Sequence, residues 1–90
     1  MKTIIIKQTG RPGSDPKIFR AYSYDERPGS KDRSLGVSAS TTGNENFGAL
    51  RCAAKAFIKY IEPKAEAAEI ETRIALKSIG TGLWLAELKS

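Results

Sequence analysis

Alternation of apolar and polar residues predicts three strands, a helix and a hairpin. Thr3–Thr9 (TIIIKQT) is β-branched and aliphatic, as a strand requires. Lys17–Tyr24 (KIFRAYSY) splits at period two into Ile18, Arg20, Tyr22 and Tyr24 on one face and Phe19, Ala21 and Ser23 on the other. Ser34–Thr41 (SLGVSAST) sets Leu35, Val37 and Ala39 against Gly36, Ser38 and Ser40, the pattern of a strand with one buried face. Next, Thr42-Gly43-Asn44-Glu45 has the form of a capping box that opens a helix. Phe47, Leu50, Ala54, Phe57 and Ile61 recur every three or four residues as its apolar stripe. Pro63 ends it, because the residue before a proline is barred from helical geometry.

The C-terminal third reads two ways near its start. Pro63-Lys64-Ala65-Glu66-Ala67-Ala68-Glu69 suits a helical turn with proline at its first position. From Glu69 the alternation is strong, with Ile70, Thr72, Ile74 and Leu76 on one face and Glu69, Glu71, Arg73 and Lys77 on the other. A helix would scatter that apolar set, so a strand is expected. Ser78-Ile79-Gly80-Thr81-Gly82 then turns the chain, and Leu83–Leu88 (LWLAEL) returns as a hairpin. The expected fold is α+β, an antiparallel sheet in the order βββ-α-ββ with one amphipathic helix packed on one face. Ninety residues make one domain, 1–90.

One tetrapeptide occurs twice, Arg-Pro-Gly-Ser at Arg11–Ser14 and at Arg27–Ser30. Proline sets the first position of a type II turn and glycine permits the second, so each copy reads as a turn. The strand between them holds the two roughly 25 Å apart at about 3.3 Å per residue, too far to form one phosphate clamp.

Composition narrows the chemistry. The chain has no histidine and a single cysteine, Cys52. That removes the commonest general base, the commonest zinc ligand and any internal disulfide. The loop carboxylates Asp15, Asp25, Glu26 and Asp32 lack metal-binding spacing, and Gly80-Thr81-Gly82 is not set between a strand and a helix as a nucleotide loop would be. No metal, cofactor or catalytic activity is expected. Cys52, near the border of the apolar stripe, reads as a packed residue. The run Ile4-Ile5-Ile6 is too short for a signal peptide or a membrane helix, so a cytoplasmic protein with no membrane partner is expected.

Charge supplies the positive indication. The net charge is +5, and residues 1–33 hold eight bases against four acids. Such a field favours anionic partners. With Phe19 and Ala21 turned to the helix, the other sheet face is expected to carry Lys7, Arg20, Tyr22, Tyr24, Arg73 and Lys77. Tyrosines there can stack on unpaired bases while the cations neutralise phosphates. Tyrosine also suits half-exposed strands for stability alone. Arg51, Lys55 and Lys59 form a second basic row, on the exposed face of the helix, able to track a phosphate backbone or simply to be solvated. Leu83, Trp84 and Leu85 are apolar on both faces, which fits a central strand or an interface anchored by the tryptophan. The expected function is therefore a noncatalytic nucleic-acid-binding accessory protein. The alternative is a small inhibitor or adaptor, of the kind mobile elements encode, that engages a protein partner or itself through a sheet edge or the Trp84 strand.

Overall fold

A computed structural model describes residues 2–9, 17–24 and 33–89. The turns expected at Gly10–Pro16 and Asp25–Lys31, and with them both Arg-Pro-Gly-Ser segments, lie outside the described residues. The elements are β1 (Thr3–Thr9), β2 (Lys17–Ser23), β3 (Ser34–Thr41), α1 (Glu45–Tyr60), α2 (Ala67–Thr72), β4 (Ile74–Gly80) and β5 (Leu83–Leu88). The strands form one antiparallel sheet in the order β3-β2-β1-β5-β4, with α1 across one face. This is the α+β architecture that the alternation predicts, with a short second helix added.

Register assigns the faces. Ile4 and Ile6 on β1 stand opposite Ser23 and Ala21 on β2 and Ala86 and Trp84 on β5, all turned to α1. Phe19, Phe57, Ile4, Ile6, Ile70 and Cys52 are the largest fully buried side chains. The rings of Phe19 and Trp84 meet at 5.6 Å between centroids, tilted by 57°. The Trp84 indole Nε1 donates to Asn46 Oδ1 at 3.0 Å, so its polar atom is satisfied inside the layer.

Three sequence expectations are corrected. The helix cap is Asn44, not Thr42: its Oδ1 accepts from the amides of Asn46 and Phe47 at 2.8 and 3.4 Å, while Thr41 Oγ1 accepts from the Gly43 amide. The buried face of α1 is a line of small residues, Gly48, Ala49, Cys52, Ala53, Ala54 and Ala56, ending on Phe57; of the expected stripe Ala54 and Phe57 are on it. Phe47 is half-exposed and Leu50 lies on the flank, because the bulk at this interface comes from Phe19 and Trp84 on the sheet. The strand expected from Glu69 to Lys77 begins only at Ile74; residues 67–72 are helix α2, anchored by the fully buried Ile70. Ala67 and Ala68 favour a helix, and the Thr72 hydroxyl donates to Glu69 O within it.

Arg73 stands at the end of α2 as a clamp. Its Nη1 and Nη2 meet the two carboxylate oxygens of Glu62 at 3.0 and 2.7 Å, Nη1 lies 4.0 Å from Glu69, and Nε donates to Lys89 O at 3.0 Å. The hydrogen-bonded guanidinium holds the Glu62 carboxyl below its usual value near 4.5. A depressed carboxyl stabilises the fold above its unfolded pKa, and that contribution is lost as pH falls through the folded value. In Arg73→Gln the thermal midpoint should therefore fall less than in wild type between about pH 6 and about pH 3. Parallel acid limbs in calorimetric melts would show that the pair is not coupled to folding.

Candidate functional site

The sheet face opposite α1 has no helix on it among the described residues. β2 brings Ile18, Arg20 and Tyr22 to this face, Tyr24 follows one residue past its end, and the ladder sets the others beside them. Lys7 pairs with Arg20 on one side and Leu83 on the other. Ile5 pairs with Tyr22 and Leu85, and Leu85 pairs in turn with Lys77. One row across the sheet thus reads Ser38, Arg20, Lys7, Leu83, and the next reads Ser34, Tyr22, Ile5, Leu85, Lys77. Adjacent strands lie about 4.8 Å apart, so Lys77 stands roughly 14 Å from Tyr22 across an apolar strip.

Tyr22 is the centre of this surface. The Lys7 ammonium lies 4.8 Å from its ring centroid. Ile5 beside it is only 8% exposed although it faces away from the core, because neighbouring side chains cover it. Ile18, Tyr24 and Ile79 are 41%, 38% and 45% exposed. Glu87, paired with Thr3 and Ala75, brings a carboxylate to the far end of the face.

Of the residues expected here, the ladder brings Lys7, Arg20, Tyr22 and Lys77 together, Tyr24 lies exposed one residue past β2, and Arg73 is not on this face. Arg73 precedes β4 and its guanidinium is spent on Glu62, Glu69 and Lys89, so its expected place on the sheet face is corrected. Leu83 and Leu85 lie half-buried on the open face, whereas Trp84 is 3% exposed on the α1 side: it is the core residue of a central strand, and of its two readings the interface anchor is the one corrected. Cys52 is fully buried, and burial pushes its thiol up to about 12, so it holds no thiolate at neutral pH.

The basic row of α1 runs along the free edge of β3. Lys55 Nζ donates to Ser38 O at 3.3 Å, the Tyr60 hydroxyl donates to Leu35 O, and Cys52 Sγ lies 3.9 Å from Val37 O. The helix thus caps carbonyls that an edge strand would otherwise present to another chain. Arg51 lies 5.7 Å from the Phe47 ring and Lys59 5.3 Å from the Tyr60 ring. Sequence reasoning missed a bulge here. Arg20 pairs with Ser38 but Tyr22 pairs with Ser34, so Leu35, Gly36 and Val37 stand against Ala21 alone. Gly36 takes the left-handed φ of 70° that this irregularity requires, and a glycine inside a strand was its available signal.

Among the described residues no cluster of three acidic, cysteine or histidine side chains is placed to hold a metal ion, and no helix is long and apolar enough to cross a membrane. No family model, curated protein or solved structure shows a significant match to the chain.

Proposed function

We propose that the protein binds single-stranded nucleic acid on the open face of its sheet and catalyses no reaction there. The observation that carries this reading is the interleaving of rings and cations on a face that no helix covers among the described residues: Tyr22 with the Lys7 ammonium above it, Arg20 cross-strand from Lys7, and exposed Tyr24 just past the end of β2. A five-stranded sheet face is too broad for the major groove, which admits a helix or a two-stranded ribbon, but unpaired bases can lie on it and stack on tyrosine. Phosphates then fall to Arg20, Lys7 and Lys77. Stacking on Tyr22 moves the Lys7 ammonium aside at a cost of about 0.5–1 kcal/mol, offset when it meets a phosphate.

Three phosphate contacts imply modest, strongly salt-dependent affinity. With about 0.7 counterions released per contact, raising salt from about 50 to about 150 mM should weaken binding roughly tenfold. Fluorescence-anisotropy titrations with labelled single-stranded and duplex oligonucleotides read this directly. Tighter single-strand binding with that slope supports the proposal, and no binding to any oligonucleotide at low salt removes it.

A second reading, a protein-interaction module, has one observation in its favour. β3 is capped by α1, but Lys77 to Gly80 on the opposite edge strand, β4, are exposed, with Ile79 nearly half so. An extended protein segment could add there as a further strand. A partner retained from nuclease-treated lysate by wild type and lost by Ile79→Lys, with oligonucleotide affinity unchanged, would favour it over the first.

A further inference from the structure

The bulge in β3 opens a cleft on the same face as Tyr22. It is lined by Arg20, Ser34, Gly36, Val37 and Ser38 and encloses about 140 Å³. By liquid volume that is room for roughly four or five waters, enough for a tetrahedral oxyanion. Among the described residues that line it there is no carboxylate. Among the described residues Arg20 and the Ser38 hydroxyl have no hydrogen-bond or ion-pair partner. Ser34 Oγ accepts the Gly36 amide at 3.3 Å, which leaves its own proton to donate outward.

Two further cations reach this place from the other side of the sheet, around the β3 edge. Lys55 Nζ is fixed on Ser38 O, and Lys59 Nζ lies 3.5 Å from the position a side-chain carbon on Gly36 would take. The face cation Arg20 and the helix cations Lys55 and Lys59 therefore converge on one five-residue stretch of β3. A guanidinium, two hydroxyls and two ammoniums, with no acid among the described lining residues, are the donors a phosphate recruits.

We propose that this cleft is a phosphate subsite, holding one backbone phosphate of a strand whose adjacent base stacks on Tyr22. This rests on the nucleic-acid reading and gives it a register, because Tyr22 is paired with Ser34 at the mouth of the cleft. The bulge is what brings the two serines and Arg20 to one point, and the helix row supplies charge to it without leaving its own face.

Amide-resolved NMR titration tests it with two probes, a short oligothymidylate and pyrophosphate, on wild type and on Arg20→Gln. The oligonucleotide should shift the amides of Ser34, Gly36, Val37 and Ser38 together with Tyr22. Arg20→Gln, an exposed change whose folding the same spectra verify, should weaken oligonucleotide binding about tenfold and lower the salt slope by about 0.7. Shifts at Tyr22 and Tyr24 with residues 34–38 unmoved would overturn the subsite and leave the nucleic-acid reading standing, whereas an unchanged slope in Arg20→Gln would overturn the subsite and also remove Arg20 from the phosphate contacts of the open face. Pyrophosphate that moves residues 34–38 only in wild type, with no oligonucleotide binding, would uphold a site for free phosphate and overturn the nucleic-acid reading. Silence to both probes removes both.

Discussion

Gly48→Ala should destabilise the protein by about 1–3 kcal/mol, the range for overpacking a core, although alanine is favoured over glycine in a helix by about 1 kcal/mol. A methyl carbon added at Gly48 would lie 2.3 Å from Phe19 Cε2, 2.6 Å from Thr41 Cγ2 and 2.9 Å from Phe19 Cδ2. Phe19 cannot move aside, because it is fully buried and its ring packs on Trp84. The helix must lift from the sheet, which loosens the contact of Ala49, Cys52 and Ala53 as well. For a domain of this size each kcal/mol lowers the melting temperature by about 4–8 °C. Gly43→Ala is the matched control, since a carbon there meets nothing within 4 Å, and it should stay within about 0.5 kcal/mol of wild type. Shortening the obstacle with Phe19→Leu should cost less in the Gly48→Ala background than in wild type, by at least about 0.5 kcal/mol in a double-mutant cycle. Rescue remains partial because the Thr41 methyl is still in place. Strict additivity in denaturant melts would show that Phe19 does not set the helix height.

That contact also explains which parts of the fold were legible. The first three strands and the hairpin could be read because alternation reports a difference between two environments, and among the described residues β1, β2 and β3 have a helix on one side only. The helix was legible in existence but not in orientation. A stripe drawn through its largest apolar residues, Phe47, Leu50, Phe57 and Ile61, assumes that the helix brings the bulk. Here the sheet brings most of it, and the face that must approach is Gly48, Ala49, Cys52, Ala53, Ala54, Ala56 and Phe57, sharing only Ala54 and Phe57 with the expected stripe. The error at 69–77 has another origin. Ile70, Thr72, Ile74 and Leu76 keep period two across a boundary, so one continuous pattern spans the end of α2 and the start of β4. The counter-signal was Ala67 and Ala68, strong helix formers just ahead of it.

The candidate site divides along the same line. Lys7, Arg20, Tyr22 and Lys77 follow from strand parity, which is local, while Tyr24 falls one residue past the end of β2. Arg73 was lost because parity was extended back past the true start of the strand. The gathering of Lys55 and Lys59 with Arg20 was illegible, because it depends on where α1 lies over the β3 edge and on a bulge whose only mark is Gly36. Tertiary placement of this kind leaves no periodic trace in the chain.

Tyr22→Ala should cut single-strand affinity by roughly 5- to 150-fold, the equivalent of the 1–3 kcal/mol that stacking one base contributes. The residue stands on the sheet face between Arg20 and Tyr24, opposite Ile5 on one side and Ser34 on the other, so a base laid there has cations on the adjoining row. Losing the ring also uncovers Ile5 and removes the Lys7 contact at 4.8 Å, which together should lower stability by about 1–2 kcal/mol. Binding must therefore be measured well below the melting temperature of the variant. Tyr22→Phe separates the two effects, since it keeps the ring, the cover over Ile5 and the cation contact while deleting only the hydroxyl. It should bind within about twofold of wild type, because stacking uses the ring face and not the phenol. Lys77→Gln, at the far side of the apolar strip, should leave stacking intact and lower only the salt dependence, by about 0.7 in slope. Duplex binding, which offers no unpaired base to Tyr22, should change little in Tyr22→Ala, so the preference for single strands should collapse in that variant alone. Equal single-strand affinity in wild type and folded Tyr22→Ala would show that the open face is not where bases lie, whatever its charge.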